Sequence, residues 1–167
     1  MYEIDGSGVL EDATHLRDMM DGILERVESA FQSYNVGLPN RRYWSIGQPA
    51  IDCEQVVVSF IQMYLGAPGD EATTPQRCHV PRSAVVAISI ARAVPIVGQN
   101  GRPPSQESIQ RASSVSAIDA WVLMDAVKLF DMWDQSGYGL GVIATVEITP
   151  PEGGFQSVTM NLTLAVP

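Results

Sequence analysis

The chain has 167 residues, 46% apolar and 17% charged, enough for one domain with a lightly charged surface. Its 19 acidic residues outnumber 10 basic ones for a net charge of −9, and Lys128 is the sole lysine. That balance argues against duplex nucleic-acid binding in the usual sense, which needs cations to displace phosphate counterions.

Residues 1–9 read as a flexible arm ahead of a single domain over 10–167. Leu16, Met20, Ile23, Val27, Phe31 and Tyr34 recur at steps of three and four, which predicts an amphipathic helix over 10–34. Asn35 and Gly37 stop it, and Pro39 prevents its continuation. Arg42-Tyr43-Trp44-Ser45-Ile46, between Pro39 and Pro49, is a possible short strand. A strand is expected over 53–65, with Val56, Val58, Phe60 and Gln62 facing one way and Val57, Ser59, Ile61 and Met63 the other. A long Gly/Pro/Thr-rich loop follows over 66–81, of a kind usually given to contacts.

Residues 83–94 form a strand apolar at almost every position, expected to be covered on both faces. After a turn-rich link over 95–104, Ser105 is placed to cap a second helix that runs to Gly137 or Gly139. Ile109, Ala112, Val115, Ile118, Val122, Ala126, Leu129 and Trp133 make its buried face, widened by Trp121, Met124 and Phe130, so it should be more buried than the first. Strands over 140–149 and 155–166 close the chain through Pro150-Pro151-Glu152-Gly153-Gly154. The order predicts an α+β fold: a mixed, largely antiparallel sheet of four to five strands with two helices on one face.

No window reaches the roughly 20 apolar residues of a membrane-spanning helix. The first ten residues lack the basic start and apolar core of a secretory signal. An intracellular product is expected, with free thiols at Cys53 and Cys78. Those cysteines and His79 have no zinc-ligand spacing, and neither His15 nor His79 adjoins a nucleophile motif. Asp119, Asp125 and Asp131 recur every six residues and so do not share a helix face. Gly98-x-x-Gly101 lacks the lysine of a phosphate loop. No catalytic residue, metal ligand or cofactor is assigned, and the chain is expected not to be an enzyme.

Arg41-Arg42-Tyr43-Trp44 is the one place where cations adjoin aromatics. Those residue types suit an anchor in a protein interface better than a stacking platform for single-stranded nucleic acid. Arg77, Arg82 and Arg102, in or beside the long loops, complete the candidate interface.

Several segments resemble tail terminator proteins of long-tailed actinobacterial phages. They are Asp52-Cys53-Glu54-Gln55, Tyr64-Leu65-Gly66-Ala67-Pro68-Gly69, Pro81-Arg82-Ser83-Ala84, Gly101-Arg102-Pro103-Pro104-Ser105, Asp119-Ala120-Trp121 and Pro151-Glu152-Gly153-Gly154-Phe155-Gln156. The resemblance runs from about Leu10 to the end and rests on framework motifs. It implies a homo-oligomeric neck ring, typically a hexamer, assembled in the host cytoplasm and carried in the virion. Such a ring caps the tail tube protein, stops its polymerisation and meets the head–tail stopper or connector proteins. DNA passes through its lumen without sequence-specific binding, which net negative charge suits. A head–tail stopper or adaptor is the alternative of the same class; a small ligand-binding α/β domain is the alternative of another.

Overall fold

The computed structural model describes residues 6–69, 82–98, 101–128 and 142–166. Seven elements follow in chain order: α1 (Gly6–Ser33), β1 (Arg41–Ile46), β2 (Gln55–Leu65), β3 (Arg82–Ala93), α2 (Gln106–Lys128), β4 (Val142–Ile148) and β5 (Phe155–Val166). The strands form one five-stranded sheet in the order β1-β2-β3-β5-β4. All neighbours are antiparallel except β1 and β2, which run parallel. This is the expected mixed α+β architecture, with both helices on one face.

The helix-covered face is a dry layer of branched side chains. Val56 and Val58 of β2, Val86, Ile88 and Ile90 of β3, and Val158, Met160 and Leu162 of β5 meet Met20, Ile23, Val27 and Phe31 of α1 and Val122, Leu123 and Ala126 of α2. The α1 stripe is the one its three-and-four spacing predicts. The helix ends on Asn35 in the left-handed region (φ 54°). There the Val36 N–H donates to the Phe31 carbonyl at 3.0 Å, the six-to-one closure that satisfies a terminal acceptor. α2 starts as its sequence dictates, with Ser105 Oγ accepting from the Ser108 N–H at 3.2 Å. Gly153 and Gly154, both at positive φ, make the two-residue turn into β5.

Four expectations need correction. α1 begins at Gly6, inside the segment assigned to the arm. β2 carries a bulge between Phe60 and Gln62, so alternation inverts there and Gln62 joins Val57 and Ser59. Among the described residues, β3 is covered by helices on one face alone. Its other face shows Val85, Ala87, Ser89 and Ala91; Ala87 and Ala91 are buried although no described helix lies on them. The buried face of α2 is rotated from the apolar stripe: Ser116 and Asp119 point inward, while Ile109, Ile118, Trp121 and Met124 are exposed. Each buried polar group there has a partner, which is why burial tolerates it. Residues 1–5, the loop around Arg77, Cys78 and His79, and the second helix's expected end near Gly137 lie outside the described residues.

Candidate interaction surfaces

Period-two alternation divides the Arg41–Trp44 cluster between the two faces of β1. Arg42 and Trp44 turn toward α1. Arg42 Nη1 meets Glu28 Oε1 at 3.3 Å, and Trp44 Nε1 donates to Asp21 Oδ1 at 2.9 Å. These two side chains fasten the edge strand to the helix. Arg41 and Tyr43 lie on the uncovered face, with the Arg41 guanidinium 5.2 Å from the Tyr43 ring centre. Arg41 Nη1 also reaches Asp52 Oδ1 at 2.6 Å and Cys53 Sγ at 3.2 Å.

This small exposed cluster polarises its members. Hydrogen bonding to Cys53, then the Asp52 charge, raises the Arg41 pKa above its ordinary value. The Asp52 carboxyl is held below the usual carboxylate range, first by hydrogen bonding with Cys53, then by the Arg41 charge against a desolvation that opposes both. Cys53 is a free thiol, as expected.

The face without a described helix carries mostly short side chains at its centre, in register across all five strands. One cross-strand row reads Ser45, Ser59, Ala87, Asn161 and Thr145; the next reads Tyr43, Val57, Ser89, Thr159 and Glu147. Hydroxyls pair along it, Ser45 with Ser59 at 3.2 Å and Ser89 with Thr159 at 3.0 Å. The β1–β2 link, residues 47–54, is too short for the helix that normally joins parallel neighbours. It returns beside the sheet, so Gln48, Pro49 and Ile51 wall one side of an open trough whose other side is Thr149–Glu152 and Phe155.

A second concavity lies at the start of α2, between Glu54, Arg92, Glu107 and Arg111. Its charged groups are committed. Arg92 clasps Asp119 through two bonds, 2.5 and 2.8 Å, and donates to the Gly37 carbonyl at 2.8 Å. Glu54 Oε1 accepts from the Ala93 N–H at 3.0 Å. Asp119 is fully buried, so the pair ties β3 to α2 and to the segment after α1. The sequence carried a signal for it: an arginine inside an apolar strand and an acid among apolar helical positions.

Of the other predicted interface residues, Arg82 is exposed at the start of β3, opposite Leu65 and Val166, and Arg102 is exposed in the link before α2. Arg82 lies at the end of the sheet opposite Arg41, so these two do not share a patch. The Gly98-x-x-Gly101 amides are spent within the link, on Arg102 and Gly98 carbonyls at 3.1 and 2.8 Å.

No family model matches the chain, and no curated protein matches it.

Among the described residues no three His, Cys, Asp or Glu side chains gather to hold a metal ion, and no helix is long and apolar enough to cross a membrane. The exposed groups missed by sequence reasoning are Trp121, at 73% exposure, with Ile118 and Met124 beside it on the outer face of α2. Apolarity alone had placed them inside; only their angular offset from Val122 and Ala126 separates them.

Proposed function

We propose that this chain is a structural assembly protein of the phage neck, a tail terminator that closes into a ring on the last layer of tail tube protein. The observation that carries the reading is the half-covered sheet: one face dressed by two helices, the other face and both edges left without cover from described elements. On that surface Arg41 and Asp52 pair with one another, which favours a scaffold over a reaction centre. The segments that resemble tail terminators lie in both layers, and the acidic balance suits a lumen through which DNA must slide.

In this reading the ring sits between the tail tube and the stopper or connector ring, assembles in the host cytoplasm and leaves in the virion. Electron microscopy and native mass spectrometry of the purified protein test the first step. Six-fold rings are expected, and a monomer at every concentration overturns the reading. Rings that arrest growth of a polymerising tail tube protein identify a terminator. Rings that leave the tube growing but bind the head-side connector identify a stopper instead.

A further inference from the structure

The two edges of the sheet are matched to one another. β1 and β2 run one way, β3 the other, β5 back again and β4 opposite to β5. The edge strands β1 and β4 therefore point in opposite senses. Two copies related by rotation about an axis along the strands would bring β4 of one against β1 of the next as antiparallel neighbours, the more stable pairing. Lengths agree as well, six residues in β1 and seven in β4. Among the described residues neither strand has a second partner.

Face parity narrows the register. Arg41 and Tyr43 share the uncovered face with Thr145 and Glu147, while Trp44 shares the helix face with Ala144. A continuous sheet must keep these faces together, so odd positions of β1 oppose odd positions of β4. Within that restriction one register pairs all six residues of β1 and sets Arg41 against Glu147, opposite charges both exposed. The same register puts Tyr43 across from Thr145 and the bulk of Trp44 across from the small Ala144. The contacts of Arg41 with Asp52 and Cys53 both run through Nη1, so its Nε and Nη2 point elsewhere for a second carboxylate.

We propose that β4 of one copy pairs antiparallel with β1 of the next, Glu147 opposite Arg41, so that the sheet continues without edges from subunit to subunit. The proposal deepens the ring reading and rests on it. Pairing satisfies backbone groups that an open edge leaves exposed to unwanted partners, and head-to-tail contact generates a closed ring when the rotation allows. It is compatible with the helices outside and the short-chained face inside. Five strands at about 4.8 Å each put six copies on a circle roughly 45 Å across between backbones, wide enough for a DNA duplex.

The test is a cross-link in the native-like full chain. Tyr43→Cys and Thr145→Cys are placed together, with Cys53 and Cys78 replaced by serine. The two sites sit on opposite edges, roughly 19 Å apart across four strand spacings, so they cannot join within one chain. Oxidation of assembled protein is expected to give a ladder of covalent oligomers on non-reducing gels. A control with Trp44→Cys and Thr145→Cys, on opposite faces, should give none. Rings without a ladder overturn the edge pairing and leave the ring reading standing; a ladder confined to the control overturns the register. A monomer of normal fold by circular dichroism, in the unsubstituted chain too, overturns both readings. Independently, Glu147→Arg should weaken assembly about tenfold without altering the fold, and unchanged assembly counts against the Arg41 contact.

Discussion

The two faces of this sheet are made by the same strands, one residue apart, and they could hardly differ more. On the helix side, β3 shows Val86, Ile88 and Ile90, all fully buried. On the other it shows Ala87, Ser89 and Ala91, whose neighbours are Ser59, Thr159, Asn161 and Ser157 together with Val57 and Gln55. The first face holds the fold together by apolar area removed from water. The second contributes little to that and keeps its shape through cross-strand hydroxyl pairs. Val57, Ser59, Ala87 and Ala91 of this second face are buried as well, though no described helix lies on them.

The largest effects should come from breaking the helix side. Asp119→Ala leaves the Arg92 charge without its carboxylate, with only the Gly37 carbonyl as partner, a change expected to cost about 3–5 kcal/mol. Urea unfolding followed by circular dichroism would show it as a lowered midpoint with unchanged slope. The double variant Arg92→Met/Asp119→Leu removes both charges and should recover most of the loss. If the double is as unstable as the single, the pair matters for more than its own desolvation.

Ile88→Ala probes the same layer without charge. It opens a cavity under α1 and α2 and should cost about 2–5 kcal/mol, according to how far the site collapses. Across the strand, Ser89→Ala deletes one exposed-side hydroxyl pair with Thr159 and should cost about 0.5–1.5 kcal/mol. The contrast between adjacent residues is the measurement that matters. Equal losses at Ile88 and Ser89 would mean that the second face is also part of the core.

The same contrast explains what could be read from residues alone. α1 was legible because its spacing and its burial coincide at Met20, Ile23, Val27 and Phe31, and β5 because Val158, Met160 and Leu162 alternate strictly with Thr159 and Asn161. α2 misled because two polar residues, Ser116 and Asp119, are buried through partners 40 and 27 residues away. Periodicity cannot see a partner, so the stripe drawn through apolar residues came out rotated and left Trp121 on the wrong side. The bulge after Phe60 is hidden for a related reason: it is a property of the β2–β3 pair rather than of β2. Parallel pairing of β1 with β2 was hidden too, since a link of this length usually signals an antiparallel neighbour. The candidate interface was legible as a composition, cations beside aromatics, but its division between two faces became visible only with the strand in place.

The smallest expected effect lies at the corner where the uncovered face meets the β1 edge. Asp52 titrates below the ordinary carboxylate value of about 3.9, with hydrogen bonding by Cys53 ahead of the Arg41 charge as the cause. A carboxyl whose folded pKa is depressed adds stability above its unfolded value and loses it as pH falls through its folded one. Here the group is fully exposed, so the readout is its own titration and not the unfolding midpoint. Carboxyl-detected NMR should show the Asp52 midpoint rising toward the ordinary value in Cys53→Ala, and rising less in Arg41→Met. If β4 of a second copy does seat Glu147 against Arg41, the assembled protein carries two carboxylates around one guanidinium. Their mutual repulsion should then raise the Asp52 midpoint relative to the dispersed chain. An Asp52 titration identical in both states would remove Glu147 from this corner.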